Sequence, residues 1–168
     1  MAILRGLRCR GAALIAGCRL SLLPRHFLCV FVITVSGTAC RVDPEFQPDE
    51  VLRSELGLTD RDEVHRVVIT GGDAELAAPW TTTIHPGAYL EFVTGDWFVH
   101  EVSFELDSML PGARAFMEST DQVASPPLLR LDSRYVVDFE GGPPGRYPFL
   151  LEGSGAVGRG VVVVEVRP

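Results

Sequence analysis

The side chains in this 168-residue chain that could hold a soft metal ion are its four histidines, four cysteines and three methionines. A centre of that kind needs several donors gathered at one point, with imidazole and sulfur selecting copper or zinc. The cysteines are Cys9, Cys18, Cys29 and Cys40, all within the first 40 residues. The remainder of the chain therefore brings no thiolate, disulfide or zinc-thiolate of its own. Among the histidines, His26 lies in the same leading segment, His65 opens an apolar run and His85 sits at a Pro-Gly turn. His100 has the richest surroundings, with Asp96 and Glu101 close in sequence, although strand alternation sets Glu101 on the opposite face. Met109 and Met117 fall in a loop and a helical stretch. Enzyme patterns are missing: there is no Gly-x-Ser-x-Gly, no His-Glu-x-x-His, and Ser154, flanked by Gly153 and Gly155, has no base to activate it. The chain reads as a non-enzyme.

Charge narrows the partners. Five arginines and no acid precede Cys40, whereas from Arg41 onward ten arginines face 22 acidic residues, a balance of −12. A domain so acidic is repelled by nucleic acid and by anionic lipid, so no nucleic-acid role is expected. Glu101, Glu105, Asp107, Glu118 and Asp121 lack the tight Asp-x-Asp-x-Asp spacing of a calcium loop and read as a solvated acidic face.

The basic segment 1–25 leads into Phe27–Val35, an apolar run shorter than the roughly 20 residues that span a bilayer. Together with Ser36-Gly-Thr-Ala-Cys40 it has the layout of an export signal. The last five residues resemble a bacterial lipobox, which implies lipidation of Cys40, with Gly37 where that motif prefers Leu or Val. Gly37-x-Ala39 equally suits ordinary signal-peptidase cleavage, and an uncleaved anchor is the third reading. The expected organisation is a signal peptide over 1–39, a tether with a short helix over 40–64, and a β-sandwich over 65–168. Export places the domain in the periplasm, on a membrane as a lipoprotein, or outside the cell.

The elements that would position His100 are short. Asp49 caps a helix over Glu50–Leu56, and Gly57 ends it. Seven β-type runs follow, bounded by Gly, Pro and Asp: His65–Thr70, Thr81–His85, Tyr89–Thr94, Phe98–Leu106, Arg134–Phe139, Tyr147–Leu151 and Arg159–Val166. Alternation sets His100, Val102, Phe104 and Leu106 on one face, and does the same for Tyr135, Val137 and Phe139 and for Tyr147, Phe149 and Leu151. Val161–Val164 is β-branched throughout and predicts a strand buried on both sides. Pro111–Ser119 breaks the pattern as a short helix with Ala113, Phe116 and Met117 on one stripe. The fold class is all-β, an antiparallel sandwich with one short helix after the tether.

Three segments in order resemble the plastocyanin/azurin, or cupredoxin, family over residues 65–168. They are Ile84-His-Pro-Gly-Ala-Tyr-Leu-Glu-Phe-Val93, Asp96-Trp-Phe-Val-His-Glu-Val-Ser-Phe104, and Pro144-Gly-Arg-Tyr-Pro-Phe-Leu-Leu-Glu-Gly-Ser-Gly-Ala-Val-Gly-Arg-Gly-Val-Val-Val-Val164. The resemblance implies a Greek-key sandwich of cupredoxin type and, in the family, a copper held by two imidazoles, a thiolate and an axial thioether. Here His100 stands at the first imidazole position, Leu151 at the thiolate, Ser154 at the second imidazole and Arg159 at the thioether. An apolar residue, a hydroxyl and a cation replace three of four ligands, so this is a degenerate member without type 1 copper. His100 is the one ligand-type residue retained.

The function expected is a structural or protein-binding module of the bacterial envelope, with an unspecified protein partner, no cofactor, and contact with the membrane only through a lipid on Cys40. Recognition is assigned to Asp96 and Trp97, beside His100 at the former copper end, where loops on a rigid sandwich hold function. Two rivals stand beside it: a copper carrier or electron-transfer protein with a non-thiolate site around His100, and an adhesion or carbohydrate-binding sandwich contacting its ligand through Trp97.

Overall fold

The computed structural model describes residues 42–167. Cys40 and His26, with the whole export segment, lie outside the described residues. Eight strands form the sandwich: β1 (Val64–Thr70), β2 (Leu76–Ala78), β3 (Thr81–Ile84), β4 (Tyr89–Thr94), β5 (Glu101–Phe104), β6 (Arg134–Asp138), β7 (Gly145–Glu152) and β8 (Gly158–Val164). One sheet has the order β2-β1-β4-β6 and the other β3-β8-β7-β5. The pairs β1/β4 and β3/β8 are parallel and the other pairs antiparallel. Because the chain crosses repeatedly between sheets, the topology is a Greek-key sandwich and not a meander.

The alternating runs bury the faces that alternation assigns to them. His100, Val102 and Phe104 are buried, as are Val137 and Phe139 and the set Tyr147, Phe149 and Leu151. Phe92 of β4 lies at the centre, 5.0 Å edge-on from Phe149 and 6.3 Å from Phe104 across the sheets. Helix α2 (Pro111–Ser119) closes one side, with Ala113 and Met117 buried and Phe116 stacked 6.0 Å from Phe139. Burial pushes the Tyr147 phenol up to about 12, and its hydroxyl donates to the Pro143 carbonyl at 2.6 Å.

Helix α1 (Glu50–Leu56) has the ends that its sequence specifies. Asp49 accepts from the Leu52 amide at 3.0 Å, and Gly57 takes the left-handed φ of 69°. The helix does not hang free. Leu52 packs with Leu58 and Val64 against Tyr89 and Val136. Beside that contact Glu91, wholly buried on β4, receives Arg66 at 2.6 Å and Arg134 at 2.7 Å, and both arginines also reach Asp49. The N-cap of α1 is thus tied to three strands of one sheet.

Three details depart from the strand reading. Residues 98–100 are not in a strand, because the Asp96 carboxylate accepts from the Phe98 amide at 2.9 Å and holds the chain in a turn; a 3₁₀ turn over Leu106–Ser108 closes the other end. Val161–Val164 is not buried on both sides: Val162 and Val164 on the inner face are buried, whereas Val161 and Val163 on the outer face are half-buried among the described residues. The three-residue β2 carries too little pattern to be read from sequence.

Candidate functional site

The site end lies where β1 ends and β5 begins. His100 precedes β5, and its backbone pairs with Leu128 in both directions, at 3.0 and 2.8 Å. That pairing fixes the ring inside the fold, with no exposed surface. Its Nδ1 lies 2.6 Å from Oε2 of Glu75, and its Nε2 lies 2.7 Å from Oδ1 of Asp96. An ionised carboxylate only accepts, so each of the two contacts needs a proton either on the ring nitrogen or on the carboxyl that faces it.

Each carboxylate is braced in turn. Asp96 also accepts from the Gly71 amide at 2.6 Å and from Phe98. Burial pushes its carboxyl up, but the hydrogen bond with His100, the two amide donors and the charge on His100 outweigh this and hold it below the ordinary value of 3.8. Glu75 is fixed by its backbone, which donates to the Ala156 carbonyl at 2.8 Å. Glycines make room for it. A Cβ on Gly153 would fall 2.3 Å from Glu75 Oε1, and one on Gly158 would fall 2.2 Å from the Glu75 carbonyl oxygen. The loops around 71–75 and 153–158 close on each other over the buried Glu75–His100 contact.

The four positions compared with copper ligands are not brought together as ligands. His100 points inward with both nitrogens engaged. Leu151 is buried in the apolar core, paired with Val102 and Gly158. Ser154 is exposed in the turn between β7 and β8, and Arg159 is exposed on the outer face of β8, opposite Leu150. The donor set of the described residues does not fit a copper ion: both nitrogens of His100 face carboxylates, and among the described residues no sulfur or second imidazole joins it. Among the described residues, no group of three or more His, Cys, Asp or Glu is arranged to hold a metal. His65 and His85 sit elsewhere, the first 2.8 Å from Glu63 and the second 2.8 Å from the Glu165 carbonyl. Met117 is in the core and Met109 packs against it.

Trp97, to which the sequence reading assigns recognition, lies at the surface. It is 75% exposed, followed by Phe98 at 49% and Val99 at 46%. These three line a depression of about 570 Å³ with Glu101, Glu152, Gly153 and Ser154. Asp96 lies beneath it, pinned by His100. Trp80, also exposed, is at a different place, where its carbonyl accepts from Val161 at the start of the β3/β8 pairing.

Glu75 is the site residue that sequence reasoning missed. Its segment Gly71-Gly-Asp-Ala-Glu75 reads as a polar turn, and nothing in it marks one acid for burial. The available signal was indirect: the glycines at 153, 155 and 158 mark a close approach, but not to what.

No protein-family model matches the chain, and no curated protein matches it. Among solved structures, the chain is similar to a novel purple cupredoxin from Nitrosopumilus maritimus, with 18% identity over 60% of this chain and 98% of that one, at a TM-score of 0.39. It is also similar to a mutant fern plastocyanin, with 17% identity over 60% of this chain and all of that one (100%), at 0.43. The copper-containing nitrite reductase of Thermus scotoductus matches at 22% identity over 76% of this chain and 27% of that one, at 0.46. At these identities the likeness is one of fold.

Proposed function

We propose that this domain is an exported protein-binding module that works without type 1 copper and recognises its partner through the end carrying Trp97, Phe98 and Val99. The observation that carries the reading is three consecutive exposed apolar side chains on a loop locked from below. A contiguous apolar patch on a soluble surface marks an interaction site, and a loop already ordered loses little entropy on binding. The Asp96 carboxylate supplies that order by accepting from Gly71, from Phe98 and from His100. Continuing the register of the His100–Leu128 bridge puts Leu129, itself exposed, across from Val99 and widens the patch.

The same geometry supports a role at the envelope. Val42 lies with Glu63, Ala88 and Arg167 around a hollow at the far end of β1 from Gly71. The chain therefore enters the fold opposite the Trp97 end. A lipid on Cys40, two residues earlier and about 7 Å of chain away, would hold that far end at the membrane and present Trp97 outward. Among the described residues, no helix is long and apolar enough to cross a membrane.

The test is a photo-crosslinking residue placed at 97, and separately at position 110 beside α2, whose Leu110 is also well exposed, in cells exporting the protein. A discrete adduct from 97 that is absent from 110 is expected. No adduct from 97, or the same adducts from both, sinks the reading.

A further inference from the structure

The depression beside Trp97 is lined by both apolar and anionic side chains: Trp97, Phe98 and Val99 are the first kind, and Glu101 and Glu152 the second. The two glutamates are direct cross-strand partners in the β5/β7 register, so like charges stand opposite each other on the outer face. Such a pair repels itself. Among the described residues neither carboxylate has a hydrogen bond or ion pair. Arg159, opposite Leu150 on the same outer face, forms none with them.

We propose that this depression binds the guanidinium of an arginine presented by the protein partner. The inference rests on the reading of this end as the recognition surface and names the chemistry recognised there. A guanidinium is planar, stacks on an indole or phenyl face, and offers a fork of donors that two carboxylates can share. It is also more weakly hydrated than an ammonium, so an aromatic wall favours it over lysine. A bare metal ion would meet the carboxylates but gain nothing from Trp97 and Phe98. The excess of acids over arginines from Arg41 onward would draw a basic segment to the domain, and the facing Glu101 and Glu152 give it a place to dock.

The test uses purified protein with Trp80→Phe, which leaves Trp97 as the sole tryptophan of the two. Its fluorescence is titrated with acetyl-Gly-Arg-Gly-amide, with the citrulline isostere, with acetyl-Gly-Leu-Gly-amide and with calcium chloride. The expected result is saturation by the arginine peptide, at least about tenfold weaker binding of the uncharged citrulline peptide, and loss of the arginine response in Glu101→Gln/Glu152→Gln. Circular dichroism confirms that this variant is folded. No saturation by the arginine peptide at millimolar concentration, or saturation that survives the double substitution, overturns the inference. So does calcium saturating the site while arginine does not. Binding of the leucine peptide that Trp97→Ala removes, with no advantage for arginine, overturns this inference and leaves the wider reading standing. Failure of every peptide together with failure of crosslinking at 97 takes down both.

Discussion

Glu75 and His100 meet inside the sandwich, Oε2 to Nδ1 at 2.6 Å, with neither side chain exposed to solvent. They come from segments 25 residues apart, and the contact joins the loop after β1 to the start of β5. With Asp96 on the other ring nitrogen, the imidazole becomes a structural cross-link between two acids. A buried charge is tolerated only when it is paired, so the three groups depend on one another.

Removing the imidazole should therefore cost more than removing packing alone. His100→Ala leaves the buried Glu75 carboxyl with only the long contact from the Gly155 amide at 3.4 Å, and is expected to lower unfolding free energy by about 3–5 kcal/mol. Glu75→Gln keeps an oxygen that can accept from Nδ1 and should cost clearly less. Chemical denaturation of the three proteins checks the order. Equal, small effects for both variants would mean that the buried pair does not stabilise the fold.

Acid should act through the same centre. Burial raises the Asp96 carboxyl, but His100 and the two amides hold it below 3.8. Asp49 is likewise lowered, with burial outweighed by the Leu52 amide, Arg134 and Arg66. Glu63 is lowered from 4.5, first by its hydrogen bond with His65. For each, the folded value lies below the unfolded one, so as pH falls the unfolded chain takes up protons first. The stability these groups contribute is complete above their ordinary values and is lost as pH drops through the folded values. Unfolding free energy should therefore hold steady down to about pH 5 and then decline. Asp96→Asn should make that decline shallower; an unchanged slope would remove Asp96 from the account.

The glycines give a sharper geometric test. Gly158→Ala would place a Cβ 2.2 Å from the backbone oxygen of Glu75, which cannot move aside without opening the loop pair. Overpacking of that kind costs about 1–3 kcal/mol. Gly72→Ala, with nothing within 4 Å of its Cβ, should leave the melting temperature unchanged and serves as the control. Similar melting temperatures for both variants would show that the 153–158 turn does not press on Glu75.

The contrast between the strands and Glu75 shows what a single sequence discloses. Val102, Phe104, Phe149 and Leu151 sit two apart in their strands, and a period of two is local information. The capping of α1 by Asp49 and Gly57 is local as well, and both ends were legible. Trp97 could be placed because it is three residues from His100. Glu75 depends on the topology that brings the β1–β2 loop against the β7–β8 turn, where Ala74 and Ala156 form a parallel bridge. The ties from Arg66 and Arg134 to Glu91 depend equally on register across β1, β4 and β6. Charged residues in such places look like any solvated acid or base until their neighbours are known.

The facing pair Glu101 and Glu152 yields a prediction that is independent of any partner. Like charges directly opposite on antiparallel strands destabilise the sheet, by about 0.2–1 kcal/mol for pairs of this type. Glu101→Gln should therefore raise the unfolding midpoint, and Glu101→Arg should raise it further by turning repulsion into attraction. Both gains should shrink as salt screens exposed charges over about 10 Å at 0.1 M. Glu101→Arg should also abolish the response to the arginine peptide, since its own guanidinium would occupy the place of the incoming one. Thermal melts at low and high salt decide the matter. If neither substitution stabilises the protein at low salt, the two carboxylates do not repel across β5 and β7, and the driving force assigned to an incoming cation is absent.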